Sequence, residues 1–113
     1  MKIFILLLAL LAAMPVTSHA DTPDNTELAA VAELGRLNGI ALNCRYFDQV
    51  KRIKQILIDN LPKRRELGQV FEEKTDVSFK EAIQSGAACP SPAAFANDVG
   101  KAGDELARIF TPK

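Results

Sequence analysis

Histidine and tryptophan are almost missing from this 113-residue chain, which has one histidine, His19, and no tryptophan. His19 falls in an N-terminal segment that the sequence predicts to be removed, so the processed chain would contain no imidazole. Imidazole is the usual general base near neutral pH, and its absence excludes nucleophilic systems of the Ser-His-Asp and Cys-His kinds. A charge excess is also lacking. Fourteen basic and fourteen acidic side chains cancel, so charge favours neither nucleic acid nor a membrane as an obligatory partner.

Sequence motifs for cofactors and metals are missing as well. The chain has no glycine-rich phosphate loop, no EF-hand calcium loop and no cysteine pair spaced for covalent haem. We therefore expect no cofactor, no metal and no enzymatic activity. Two weak constellations remain: the carboxylates Glu72, Glu73, Asp76 and Glu81, and the pair Lys74 and Ser78. We interpret both as solvated surface, because adjacent carboxylates on a helix diverge and nothing nearby would desolvate the lysine.

The N-terminus carries the longest apolar run of the chain. Lys2 is followed by the fourteen uncharged residues 3–16, fewer than the about 20 that a membrane-spanning helix needs. A run of that length after a positive start is typical of a signal peptide, and small residues stand at the two positions that signal peptidase reads. We predict a signal peptide over 1–20 with cleavage before Asp21, the alternative being a retained anchor. After cleavage no membrane-spanning segment would remain, and we expect the protein in the periplasm.

Cys44 and Cys89 are the two cysteines of the chain. Two cysteines in a small exported domain most often form a structural disulfide. A redox pair would normally be spaced Cys-x-x-Cys, which this pair is not, and an intermolecular bridge is the other alternative. A Cys44–Cys89 bridge would close a loop of about 46 residues, which the chain-entropy model values at about 4 kcal/mol.

Apolar residues recur at intervals of three and four after the leader, which predicts helices rather than strands. The predicted helices span 27–45, 47–60, 62–85 and 92–110, after a flexible stretch at 21–26. Pro62 suits a first helical turn, whereas Thr75 and Asp76 could break the third helix in two. The N-cap candidates are Asn25 or Thr26 for the first helix and Ser91, before Pro92, for the fourth, and Gly86 is a stop signal. The sequence thus predicts an all-α fold, a small four-helix bundle with one disulfide in a single domain over 27–110.

Each predicted helix has an apolar stripe that we expect to be buried. The stripe residues are Leu28, Val31, Leu34, Leu37, Ala41 and Cys44 in the first helix, Phe47, Val50, Ile53, Leu57 and Leu61 in the second, Leu67, Val70, Phe71, Ser78, Phe79, Ala82 and Ile83 in the third, and Phe95, Val99, Ala102, Leu106 and Phe110 in the fourth. Gly35 and Gly39 lie four residues apart beside the first stripe. Since glycine weakens a helix, they predict the close approach of another helix.

Positive charge is concentrated between residues 45 and 65, which we call the basic segment. Its cations are Arg45, Lys51, Arg52, Lys54, Lys63, Arg64 and Arg65. Against two acids they give a net charge of +5, while the rest of the processed chain sums to −6. We interpret the segment as a candidate docking patch for an acidic partner, an anionic lipid head group or a polyanion; the alternative is a solvated helix face. Few aromatics are interleaved with the cations, so single-stranded nucleic acid is not expected as a partner.

Three short motifs carry a family resemblance. They are Leu37-Asn38-Gly39-x-Ala41-Leu42-x-Cys44, then Pro62-Lys63-x-Arg65-x-x-Gly68, then Phe71-Glu72 with Thr75. Together they span about a third of the processed chain and resemble a group of short exported helical proteins of proteobacteria. The resemblance implies helices and export and no particular activity. In size, export and one long-range disulfide the chain is also similar to HdeA-type acid-stress chaperones of the periplasm, without a shared residue motif.

These features together predict a non-enzymatic binding or accessory protein of the periplasm. We expect it to engage a protein partner through a helix face and the basic segment. One alternative is an acid-stress chaperone, which without histidine would respond to carboxylate protonation near about pH 3–4. The other alternative is an immunity-type inhibitor of a toxin delivered to the periplasm. The sequence does not predict the oligomeric state.

Overall fold

The computed structural model describes residues 22–111. Over this range the chain forms four helices and no strand: α1 (Asn25–Cys44), α2 (Phe47–Asn60), α3 (Arg65–Ser85) and α4 (Pro92–Phe110). The predicted all-α fold with four helices and one disulfide is confirmed. The predicted signal peptide and its cleavage site lie outside the described residues. Among the helices that are described, none combines the length and the apolar character needed to cross a membrane.

The start of α1 is set by a reciprocal cap between two acidic residues. The side chain of Asp24 accepts a hydrogen bond from the backbone N–H of Glu27 at 2.8 Å, and Glu27 Oε1 accepts one from the backbone N–H of Asp24 at 3.1 Å. This capping box satisfies two N–H groups at the helix end. The prediction of Asn25 or Thr26 as the cap was wrong, because neither has a glutamate three residues ahead. The helix therefore begins two residues earlier than predicted.

Helix α1 is the shared centre of the fold. It packs against α2, α3 and α4, and α2 also packs against α4. Within the described chain α3 packs against α1 and no other helix, although only four residues join it to α2. The buried apolar side chains are Ala30, Val31, Leu34, Leu37 and Ala41 of α1, Val50 and Ile53 of α2, Leu67 of α3, and Phe95, Val99 and Leu106 of α4. The arrangement leaves an open face between α2 and α3, with α1 at its base.

Two glycines of α1 allow the backbone of α3 to approach the backbone of α1 closely, as their spacing predicted. A Cβ atom at Gly35 would lie 2.7 Å from Lys74 Cβ, and one at Gly39 would lie 2.6 Å from both Ser78 Cβ and Thr75 O. Contacts advance in the same direction along both helices, so α1 and α3 run parallel. No larger residue fits at either glycine without separating the two backbones.

Helix α3 begins at Arg65, three residues later than the predicted start at Pro62. Arg64 is the N-cap, with extended backbone angles, and its N–H donates to Pro62 O at 2.8 Å in a tight turn instead of a helical one. The possible break at Thr75 does not occur, because α3 is continuous to Ser85. Gly86 ends it in the left-handed region (φ 61°), as predicted.

The end of α1 and the residues that follow it are bonded to the loop that leads into α4. Cys44 and Cys89 form the predicted disulfide, with their Cα atoms 5.8 Å apart. Tyr46 donates from its hydroxyl to Pro90 O at 2.5 Å, and its ring lies 5.5 Å from that of Phe95, centroid to centroid. Ser91 caps α4 as predicted, its Oγ accepting from the N–H of Ala94. This cluster fixes the loop between α3 and α4 against the core.

Two side chains predicted to be buried are exposed. Phe47 is 55% exposed because Tyr46, one residue earlier, takes the place against Phe95 and leaves Phe47 on the outer side of α2. Ile83 is 58% exposed in the last turn of α3, and α3 packs against α1 alone among the described helices. The remaining stripe residues are buried or half-buried.

Candidate functional site

The structure divides the seven cations of the basic segment into two groups, and Arg64 belongs to the group with a structural role. Its Nη2 atom lies 2.9 Å from Glu27 Oε2, and both side chains are only 18% exposed. Glu27 therefore caps α1 with one carboxylate oxygen and binds the α2–α3 turn with the other. This half-buried pair fixes the turn, so Arg64 is not available as a docking residue.

Arg52 is also occupied within the protein. Its Nη1 atom donates to the backbone oxygen of Ala96 at 3.0 Å and to Gln49 Oε1 at 3.3 Å. The first bond crosses from α2 to a backbone oxygen within α4 and so links the two helices. Arg45 has a different constraint, since it ends α1 in the left-handed region (φ 59°), although its side chain is exposed.

The other four cations form the second group. Lys51, Lys54, Lys63 and Arg65 are exposed, and none pairs with an acidic side chain anywhere in residues 22–111. Lys51 and Lys54 lie on α2, while Lys63 and Arg65 flank the turn that leads into α3. The prediction that Lys63, Arg64 and Arg65 share the first turn of a helix was wrong for the first two, which precede α3. These four side chains, together with the exposed side chain of Arg45, are the part of the basic segment that is free to meet a partner.

Two large apolar side chains lie on the same line of α2 as the free lysines. Phe47 and Ile58 are 55% and 73% exposed, and eleven residues place them about three turns apart on one side of the helix. Lys51 and Lys54 occupy the turns between them. We call Phe47, Lys51, Lys54 and Ile58 the α2 stripe. The α2 stripe therefore combines exposed apolar area with positive charge on one side of the helix.

The α2 stripe leads into a cleft at the α2–α3 turn. The cleft has a volume of about 530 Å³, and its lining includes Ile58, Leu61, Pro62, Lys63, Arg65 and Gly68. Apolar side chains line the α2 side of the cleft. The free cations Lys63 and Arg65 lie on its other side. The stripe and the cleft share Ile58, and along them exposed apolar side chains alternate with free cations.

The two weak constellations of the sequence, which we interpret as solvated surface, do not assemble into a site. Ser78 Oγ donates to Arg36 O at 2.7 Å across the α1–α3 interface, whereas Lys74 is exposed. Of the four carboxylates, Asp76 binds Lys80 at 2.9 Å, and all four are exposed. Within the described range no group of three or more histidine, cysteine or acidic side chains could hold a metal ion. No carboxylate between residues 22 and 111 is fully buried, and Glu27 is 18% exposed in its pair with Arg64.

One polar residue of interest was not singled out from the sequence. Asn38 of α1 is 3% exposed, and its Nδ2 atom donates to Thr75 Oγ1 of α3 at 3.2 Å. Its Oδ1 atom is buried without a hydrogen-bond partner in the described structure. The sequence signal was a polar residue among the glycines and apolar positions that mark the inner side of α1.

No protein-family model, curated protein or solved structure matches the chain. The resemblance to short exported proteins of proteobacteria and the likeness to HdeA-type chaperones therefore stay predictions.

Proposed function

We propose that this chain is a non-enzymatic binding or accessory protein of the periplasm that docks an acidic segment of a partner protein on the α2 stripe. One observation carries the proposal: Phe47 and Ile58 are exposed on the same line of α2 as two lysines without ion-pair partners in residues 22–111. Exposed apolar surface rimmed by polar or charged residues commonly marks a site that binds proteins.

The two kinds of side chain would contribute differently to docking. Removing Phe47 and Ile58 from water on contact would stabilise the complex by about 1–2 kcal/mol each. Lys51 and Lys54 would add less to affinity but would orient an acidic segment and speed its association. Lys63 and Arg65 would extend this positive charge beyond Ile58. The partner we expect therefore presents apolar side chains interleaved with Asp or Glu.

The expected compartment is argued from the predicted leader and from the disulfide. Disulfides persist in oxidising compartments such as the periplasm and are rare in the cytosol. Cys44–Cys89 closes a long loop in a small domain, where such a bond stabilises most. Both features favour an exported protein.

The proposal is tested by affinity capture from periplasmic extract with matched double variants. We expect the parent protein to retain a partner that is released by salt, and we expect Phe47→Ser/Ile58→Ser and Lys51→Glu/Lys54→Glu to lose it. The control is Val77→Ser/Ile83→Ser, which removes two exposed apolar side chains from α3. Since all six positions are exposed, folding should change by less than about 0.5 kcal/mol per site.

Retention of the same partner by all three double variants would contradict the proposal. Loss from the α3 control as strongly as from the α2 variants would contradict it too. Changing Lys63, Arg64 and Arg65 together to Glu would be unsuitable for this test, because it would break the Arg64–Glu27 pair.

A further inference from the structure

Gly68 differs from the other five glycines of the chain, because neither a neighbouring atom nor a left-handed backbone requires it within the described structure. It is exposed in the interior of α3, and a Cβ atom there would meet nothing within 4 Å. A Cβ atom would lie 3.1 Å or less from an atom of another helix at Gly35, Gly39, Gly100 and Gly103, and Gly86 takes the left-handed conformation. Glycine weakens a helix relative to alanine but lets a second backbone approach closely. Gly68 therefore lowers the stability of α3 for no contact within residues 22–111.

Two opposite charges flank Gly68 on the same side of α3. Arg65 precedes it by three residues and Glu72 follows it by four, and residues at these spacings share one side of a helix. Both side chains are exposed, and neither forms an ion pair within residues 22–111. Arg65 lines the cleft at the α2–α3 turn, and Glu72 lines a cavity of about 340 Å³ between α1, α2 and α3. Both charges therefore lie on the open face that α2 and α3 leave between them.

This order of charges is complementary to itself when a second copy lies antiparallel. A two-fold axis at Gly68 reverses the direction of the helix, so Arg65 of each copy lies opposite Glu72 of the other. The two residues are separated by about 10 Å along the helix, and their midpoint falls within one residue of Gly68. Because Gly68 has no side chain, the two helices can cross closely there, which brings both pairs of opposite charges together.

Apolar surface next to Gly68 would be covered by the same contact. The cleft of about 530 Å³ borders Gly68 and is also lined by the half-buried Leu57 and Leu61 and the exposed Pro62. Helix α3 of a second copy that crosses at Gly68 would pass over this cleft and remove part of the apolar lining from water. A single helix crossing is at the small end of protein interfaces, so we expect the association to be weak.

We propose that this chain forms a two-fold symmetric dimer in which α3 crosses α3 of a second copy at Gly68, with Arg65 of each copy paired to Glu72 of the other. The dimer goes beyond the proposed function and does not rest on the α2 stripe. Ile58 belongs to both the stripe and the cleft, so a docked partner and a second copy would compete there. Purified protein, which has no partner present, tests the dimer separately.

The dimer is tested by sedimentation equilibrium of the purified, oxidised protein. We expect a monomer–dimer equilibrium with a dissociation constant of about 10–100 µM that weakens in high salt. Arg65→Glu and Glu72→Lys each place like charges at both contacts, and each should weaken the association by about tenfold or more. An equimolar mixture of these two variants should recover the parent association, because each contact then joins opposite charges.

Gly68→Gln separates the dimer from the stability of the fold. Its side chain would occupy the crossing and should weaken the association by about tenfold or more, as a steric clash at an interface centre would. Its thermal midpoint, measured well below the dissociation constant, should equal or exceed that of the parent, because glutamine favours a helix more than glycine does.

The matched controls are Lys74→Glu and Glu81→Lys. Lys74 and Glu81 repeat the charges and the seven-residue spacing of Arg65 and Glu72, but they lie on the opposite side of α3, where they line a separate cleft against α1. These two reversals should leave the dissociation constant unchanged.

A parent protein that stays monomeric at millimolar concentration would overturn the proposal. Equal weakening by the control reversals would overturn it too, since the contact would then not be specific to the Gly68 side of α3. The same holds if the mixture of Arg65→Glu with Glu72→Lys fails to associate, or if Gly68→Gln associates as tightly as the parent.

Discussion

At the scale of single residues, glycines of the same chain have opposite roles. Gly39 lies where α1 and α3 nearly touch, and a Cβ atom there would be 2.6 Å from Thr75 O and 2.7 Å from the backbone nitrogen of Phe79. These are backbone atoms, which cannot turn aside as a flexible side chain can. Gly68 is exposed within α3, and a Cβ atom there would meet nothing within 4 Å.

The first prediction compares these two glycines. Gly39→Ala should lower the free energy of unfolding by about 1–3 kcal/mol, because the added methyl forces α3 away from α1. Gly68→Ala should raise it by about 0.5–1 kcal/mol, because alanine costs less backbone entropy in a helix. Chemical denaturation of both variants measures the two effects. A neutral or stabilising Gly39→Ala would mean that the close crossing of α1 and α3 is absent.

The second prediction concerns the Arg64–Glu27 ion pair. A double-mutant cycle with Arg64→Met and Glu27→Gln should give a coupling energy of about 1 kcal/mol, the upper end for partly exposed pairs. Arg65→Met, one residue away and exposed, should change stability by less than about 0.5 kcal/mol. A coupling near zero, or an Arg65 effect as large as that of Arg64, would refute the division of the basic segment into structural and free cations.

At the scale of the helices, α3 differs from its neighbours by having one packing partner. The other three helices each pack against at least two helices, whereas α3 packs against α1 alone within the described chain. Its buried side chains are Leu67 and Ser78, against eight buried residues in α1. Segments with few buried contacts open at a lower free energy than the core.

The third prediction is a difference in amide hydrogen exchange. The amides of α3 should exchange faster than those of α1, and the exposed last turn around Ile83 should exchange fastest within α3. Helix α4 is the internal control and should resemble α1, because three of its large apolar residues are fully buried. Protection of α3 equal to that of α1 would show that α3 is held by more than the α1 crossing.

Local sequence signals predicted the helices better than their partners. The bounds of α2 and α4 are as predicted, because Ser91 with Pro92, and the breaks before Phe47 and after Asn60, act over a few residues. The start of α3 was missed because Pro62 is compatible both with a first helical turn and with the tight turn that forms. The glycines of α1 predicted a close helix, but only three-dimensional packing identifies it as α3.

The candidate site was predictable in part, for the same reason. The basic segment is visible in the sequence, but its division is not, since Arg64 and Arg52 find partners 37 and 44 residues away. Periodicity placed Phe47 in the buried stripe, and the neighbouring Tyr46 took that position instead. The burial of Asn38, with its Oδ1 unpaired in the described structure, depends on the packing of α3 against α1, which no local sequence pattern reports.

At the scale of the whole molecule, one disulfide bond links the end of the first helix to the start of the last. The disulfide connects the last residue of α1 to the loop before α4, across a sequence separation of 45. The intervening chain contains all of α2 and α3. Fixing these ends restricts the unfolded chain far more than the folded one.

The fourth prediction is the contribution of that bond. Cys44→Ser/Cys89→Ser should lower the free energy of unfolding by about 4 kcal/mol, the chain-entropy value for a loop of this length. That is a large share of the about 5–15 kcal/mol typical of a domain. Denaturant unfolding of the variant, and of the parent under reducing conditions, should agree. A loss below about 1 kcal/mol would mean that the helices alone carry the stability.

The most direct test of the docking account is photo-crosslinking in living cells of the native source. A photoreactive amino acid placed at Ile58 reports on the α2 stripe, and the same group placed at Ile83 reports on an equally apolar position of α3. The account predicts a single crosslinked protein at position 58, weakened by Lys51→Glu/Lys54→Glu, and no such product at position 83. Identical products at both positions, or none at position 58, would contradict it.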